Sequence, residues 1–212
     1  MVETLTEFFM RLDDAVKAMG MIPHDAEGHK DLPNYLPHMG PRYKIPADDW
    51  LLSVFRGEGQ ALFLIARALQ PAMIVDAYTG TGYAAACLAA GAPNALVVSA
   101  DREERYVFFA RMLLKRLAIK NVTVLRGGPD EIRHTCRRQV PKLILRDAYN
   151  EDDLGGGTET VEITHDQQTP LCRGNSFLVQ GGSHMIVSCA QPKTYALLRD
   201  TLGAVMPIWE GG

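Results

Sequence analysis

Between residues 72 and 145, short apolar runs alternate with helical patterns, and this alternation narrows the available folds more than any other feature of the chain. Residues 72–76, 95–100, 122–125 and 142–145 read as strands. Residues 83–90 (alanine-rich), 102–118 (amphipathic) and 130–138 (short) read as helices. The order βαβαβαβ predicts a mostly parallel, doubly wound α/β sheet of the Rossmann-like kind, with right-handed crossovers. A chain of 212 residues, 47% hydrophobic and 22% charged, suits one domain of this type, so residues 1–212 are expected to fold as a single unit.

Outside this stretch the pattern is less regular. Leu5, Phe8, Phe9, Leu12, Val16 and Met19 at helical spacing predict an amphipathic helix over 4–19, ended by Gly20. Residues 21–46 carry Pro23, Pro33, Pro37, Pro41 and Pro46 and predict a long loop or lid. Residues 49–69 read as a second helix, interrupted by Gly57 and Gly59 and stopped at Pro71. This divides the chain into an N-terminal helix and lid (1–48) and an α/β core (49–212). Residues 147–182 read as an irregular insertion followed by a helix near 170–179. A strand is expected over 185–188 after the Gly181-Gly182 turn, and a helix over 192–205. Only 205–209 then remains for a closing strand, so the C-terminal edge is expected to be shortened and its last strand absent. An exposed sheet edge is normally covered, which predicts a homodimer.

Charge and cysteine usage bound the partners. The net charge of -3 gives no general attraction to nucleic acid or to an anionic membrane, and a small-molecule substrate fits better. The basic residues Arg102, Arg105, Arg111, Lys115 and Arg116 are interleaved with Glu103 and Glu104 and read as a solvated helix face. Cys87, Cys136, Cys172 and Cys189 lack metal-binding spacing and read as reduced thiols of a cytoplasmic protein. The N-terminus has no signal-peptide pattern, and no apolar stretch reaches the ~18 residues needed to span a bilayer.

Residues 73–85 form a strand, a glycine turn and a helix start, in that order. Gly80 and Gly82 allow close backbone approach, and the helix N-terminus presents N–H groups to a ligand at the carboxyl end of the sheet. The run from Gly80 to Ala85 also fits the GxGxxA dinucleotide pattern, with Asp101 downstream as a ribose ligand. Asp76 at the end of the first strand favours S-adenosylmethionine (SAM), because a carboxylate beside the loop suits its cationic methionyl end better than a pyrophosphate. Asp101 would accept hydrogen bonds from both ribose hydroxyls, a role compatible with capping the helix that follows.

Four motifs in order carry a family resemblance: Glu58-Gly59-Gln60, the loop from Asp76 to Tyr83, Arg126-Gly127-Gly128-Pro129, and the strand from Lys142 to Ala148. On these, the chain resembles the caffeoyl-CoA and catechol O-methyltransferase family of class I SAM-dependent methyltransferases, from about Ser53 to Ala148. The resemblance implies SAM as cofactor. The implied cofactor-binding residues are Glu58, Asp76, Tyr78, Thr79, Gly80, Gly82, Tyr83, Asp101, Arg102, Gly128, Pro129, Asp130 and Asp147. Asp147 stands where the family has its first metal-binding acid and Tyr149 where it has a further acid, and these two are the catalytic candidates.

The chain departs from the family at three places. Tyr78 replaces the first loop glycine, Ala84 replaces a serine, and the Asp-Asn pair that completes the metal site after strand five is not found. With strand five at 177–180 the pair falls on Gly181-Gly182. With strand five at 185–187, the preferred register, it falls on Ser188-Cys189. Neither supplies hard oxygen ligands, so no metal site is expected. The expected function is O-methylation of a small molecule without strict metal dependence. The other reading is a degenerate methyltransferase-like binding module. Without a metal the acceptor needs a general base, for which His24, His29, His38, His165 and His184 are candidates, although each one taken singly is expected at the surface.

Overall fold

The computed structural model describes residues 3–19, 56–137, 139–146, 154, 156–165, 175–180 and 184–210. The elements run α1 (Leu5–Ala18), α2 (Arg56–Leu69), β1 (Met73–Ala77), α3 (Tyr83–Gly91), β2 (Leu96–Asp101), α4 (Glu104–Arg116) and β3 (Val122–Arg126). They continue α5 (Pro129–Cys136), β4 (Leu143–Arg146), β5 (Val161–His165), β6 (Asn175–Gln180), β7 (His184–Cys189), α6 (Pro192–Gly203) and β8 (Ile208–Glu210).

One eight-stranded sheet has the order β3-β2-β1-β4-β5-β7-β6-β8. Strands β1 to β5 run parallel, as the βα alternation predicts. β7 enters antiparallel between β5 and β6, and β8 adds antiparallel to β6.

β1, β2 and β4 are buried on both faces, which is why they read as unbroken apolar runs, whereas β3 at the sheet edge exposes Thr123 and Arg126. On one face Ile74, Val97, Leu143 and Ile163 meet the apolar sides of α1 to α4 and α6. On the other, Met73, Val75, Val98, Ala100 and Ile144 meet Ile132 and Cys136 of α5, together with Leu154. Thr4 starts α1 through a capping box, its hydroxyl accepting from the Glu7 N–H while Glu7 Oε2 accepts from the Thr4 N–H at 2.8 Å. Phe8 and Phe9 then pack on Phe63 of α2, with the Phe8 and Phe63 rings stacked at 5.4 Å. Burying such a ring contributes roughly 1.5–3 kcal/mol, so α1 is bound to the sheet through α2.

The structure corrects four expectations. α2 runs unbroken through Gly57 and Gly59. A Cβ on Gly59 would lie 2.7 Å from Tyr83 Cε1 and 3.0 Å from Cys87 Sγ, so this glycine serves the close contact of α2 with α3 and does not break the helix. The helix expected near 170–179 is contradicted, because residues 175–180 form β6. The fifth strand is Val161–His165, inside the segment read as irregular, and both candidates for strand five turn out to be later strands of the sheet. The C-terminal edge is short but not missing, since β8 supplies three residues of ladder. The lid expected over 21–46 lies outside the described residues.

Candidate functional site

The carboxyl ends of β1 and β2 deliver two acids to the same face of the sheet. Asp76 and Ser99 are register partners, and both point to the face covered by α3 and α4, as does Asp101 two residues on. All three are buried, Asp76 to 1% exposure and Asp101 to 6%. Ser99 Oγ donates to Asp76 Oδ2 at 2.7 Å and is also hydrogen-bonded to the Thr79 hydroxyl, which makes a continuous polar chain beneath the loop. A buried carboxylate requires donors of this kind, because removing it from water costs several kcal/mol when they are missing.

The loop is held from above the second strand. Gly80 N–H donates to Asp101 Oδ2 at 3.0 Å, Glu103 N–H to Asp101 Oδ1 at 2.9 Å, and Thr79 N–H to Ala100 O at 2.9 Å. Asp101 therefore ties the glycine loop to the start of α4 and keeps a second lone pair on each oxygen. Its burial pushes the carboxyl above the ordinary value of 3.8, against the two backbone donors that favour ionisation. Tyr83, opening α3, is also buried, and its phenol is pushed up by desolvation.

The loop backbone is left-handed at three residues, with φ of +69° at Tyr78, +50° at Gly80 and +84° at Gly82. Tyr78 thus takes a backbone conformation that favours glycine, and its ring packs beside the α5-side core. The freedom of Gly82 is spent on packing: a Cβ there would lie 2.6 Å from Ala110 Cα of α4. Its place in the chain is explained by the meeting of α3 and α4.

At the next rim position, Gly128 precedes α5 and its N–H donates to Glu131 Oε2 at 2.7 Å. The Arg102 side chain lies over Gly128, with Nε 3.1 Å from the place of a Cβ. Pro129 is buried, and Asp130 is exposed and paired with Arg133. Glu58, Asp76, Tyr78, Thr79, Gly80, Gly82, Tyr83, Asp101, Arg102, Gly128, Pro129 and Asp130 are therefore carried by α2, by the carboxyl ends of β1 and β2, or by the turns and helix starts that follow β1, β2 and β3.

Asp147 and Tyr149 lie outside the described residues. Sequence reasoning also missed one buried residue: His165, expected at the surface, is 6% exposed, and its Nε2 is 3.1 Å from Oε2 of the fully buried Glu58. The alternation Val161-Glu-Ile-Thr-His165 could have signalled this strand. Moving strand five to this position also removes the ground on which a metal pair was judged missing. The two residues that follow β5 in the chain are Asp166 and Gln167, both with side-chain oxygens. They too lie outside the described residues, among which no three His, Cys, Asp or Glu side chains gather as a metal site. Among the described residues no helix is long and apolar enough to cross a membrane.

No protein-family model matches the chain, and no curated protein sequence matches it. Solved structures do match. An O-methyltransferase from Bacillus cereus, in complex with S-adenosylhomocysteine (SAH), superposes with a TM-score of 0.58 at 14% identity, over 84% of this chain and 89% of that one. A methyltransferase from Geobacter sulfurreducens gives 0.56 at 20% identity, over 66% and 83%. A putative caffeoyl-CoA O-methyltransferase from Staphylococcus aureus gives 0.52 at 15% identity, over 64% and 84%. Strand order, rim loop and these superpositions agree, and the chain has the Rossmann-like class I methyltransferase fold.

Proposed function

We propose that the protein is a SAM-dependent methyltransferase acting on an oxygen of a small molecule. The observation that carries the reading is the pair of buried acids, Asp76 and Asp101, on adjacent strands and on one face at the carboxyl rim, with the glycine loop held between them. The donor set fits the cofactor. Asp76, with Glu58, suits a cationic methionyl end, Asp101 retains acceptor capacity for two ribose hydroxyls, and the turn at Gly128, Pro129 and Asp130 suits a base. The bound cofactor supplies an electrophilic methyl group. The chain's own part is to orient that group, exclude water through α2 and α3, and bring up an acceptor oxygen. Asp147 and Tyr149 are assigned to the acceptor side, from their place in the chain directly after β4.

Calorimetry with SAM, SAH and NAD tests this reading. Binding of SAM and SAH but not NAD is expected. Silence with all three favours the degenerate binding module, for which the strained Tyr78 is the specific observation, and binding of NAD alone sinks both. Metal independence rested on strand five lying at 177–180 or 185–187, and with β5 at Val161–His165 it loses that support. Turnover with Mg²⁺ and with EDTA decides the point. We also read the protein as a cytoplasmic homodimer whose partner covers the short β8 edge, where Trp209 is 47% exposed. A monomer by light scattering at micromolar concentration overturns that part.

A further inference from the structure

Glu58 and His165 stand 107 residues apart in the chain, yet they meet inside the protein. Glu58 lies in the first turn of α2 and is fully buried, while His165 ends β5. Both belong to the carboxyl rim. In the sheet register Asp76 pairs with Leu145 and Leu145 with Ile163, and His165 lies two residues beyond Ile163 on the same face. The first turn of α2 is in turn pressed against the first turn of α3, at Gly59 and Tyr83, where the glycine loop ends. The pair therefore shares a face and a rim with the chain Thr79–Ser99–Asp76.

Joining α2 to β5 does not by itself call for these two residues. Apolar side chains of similar volume hold such a junction at least as well as a buried polar pair, and often better. What the pair adds is direction: the imidazole 3.1 Å from Oε2 of Glu58 restricts where that oxygen can lie. A negative group held rigidly at a dry rim is worth far more to a cationic ligand end than one that must reorganise.

We infer that His165 is a positioning residue of the methyl-donor site, orienting the Glu58 carboxylate toward the cationic methionyl end of the cofactor. The inference rests on the SAM reading above and assigns His165 no contact with the reacting atoms. In this role Nε2 carries the proton and donates to the ionised Glu58, and a glutamine at 165 can supply an N–H where a leucine cannot.

The test measures binding of SAH and of 5′-methylthioadenosine, which lacks the methionyl amino acid end, to the wild type and to Glu58→Gln, His165→Leu and His165→Gln. Thermal unfolding of each variant is recorded alongside. His165→Leu is expected to weaken SAH about tenfold while moving methylthioadenosine less than about twofold, and His165→Gln to restore SAH to within about threefold of wild type. In the double variant Glu58→Gln/His165→Leu the losses should not add. Equal losses for both ligands, unchanged SAH binding, or additive effects overturn the positioning role and leave the SAM reading intact. A wild type that binds neither ligand overturns both. Should His165→Leu fail to fold, His165→Asn, whose shorter amide does not reach Glu58, is measured with the same two ligands and gives the same discrimination.

Discussion

Ser99 Oγ donates to Asp76 Oδ2 at 2.7 Å across the parallel pair β1 and β2, at a point where both residues are buried. The hydroxyl supports a carboxylate that water does not reach. Ser99→Ala removes this donor and also strands the Thr79 hydroxyl. A loss of about 1–3 kcal/mol is expected from urea unfolding, together with weaker SAH binding. Stability within error of wild type would mean that the polar chain is not supporting Asp76.

Gly82 meets two constraints at once, a φ of +84° and the backbone of Ala110 at 2.6 Å from a would-be Cβ. The left-handed penalty is roughly 1–2 kcal/mol and overpacking adds about 1–3 kcal/mol. Gly82→Ala should therefore cost about 2–5 kcal/mol, read as a fall in the denaturation midpoint. A cost under about 1 kcal/mol would show that α3 and α4 can part freely.

Tyr78 has the opposite problem, a side chain in a backbone conformation that suits glycine. Tyr78→Gly relieves the conformation and loses ring packing, whereas Tyr78→Val keeps apolar area and worsens the conformation, since a β-branched residue at positive φ is an outlier. Chemical denaturation should rank the glycine variant above the valine variant by about 1 kcal/mol or more. The reverse order would mean that packing, not backbone conformation, governs this position.

Asp101 predicts a pH dependence. Because burial raises its pKa above 3.8, the native state holds the proton more tightly than the unfolded chain. Its contribution to stability is full below that value and is lost as pH rises through the raised one. The stability of the wild type relative to Asp101→Asn should therefore fall as pH rises above about 3.8. Unfolding curves across that range check it, and a relative stability that climbs with pH contradicts the burial argument.

β1, β2 and β4 were legible as apolar runs buried on both faces and β3 as a short β-branched run, while α4 and α5 carry a helical periodicity and α3 an alanine-rich run buried all round. The rim acids Asp76 and Asp101 were legible for a related reason: an acid closing an apolar run interrupts the pattern. β5 was not. Glu162 and Thr164 alternate with Val161 and Ile163, but five residues set among the polar stretch around them did not stand out, and β6 was taken for part of a helix. The partnership of Glu58 with His165 depends on that strand and could not be seen without it. Gly59 was misjudged because the same residue can break a helix or let a neighbour approach, and only the position of Tyr83 tells which.

The placement of β7 between β5 and β6 bears on the order in which the chain can assemble. β1, β2 and β3 lie side by side and are linked by crossovers between neighbours, and β4 returns past β2 to pair with the free edge of β1, which is already in place. β5, by contrast, has β4 on one side and on the other a strand whose partner residues, Met185 to Ser188, come later in the chain than β6. A chain emerging from the ribosome must hold β5 with one edge unpaired until residue 188 is available, and β6 waits for the same strand. Non-local pairing of this kind is slow to form, so the half of the sheet that carries His165 should be the last to become native and the first exposed to mispairing when folding is delayed.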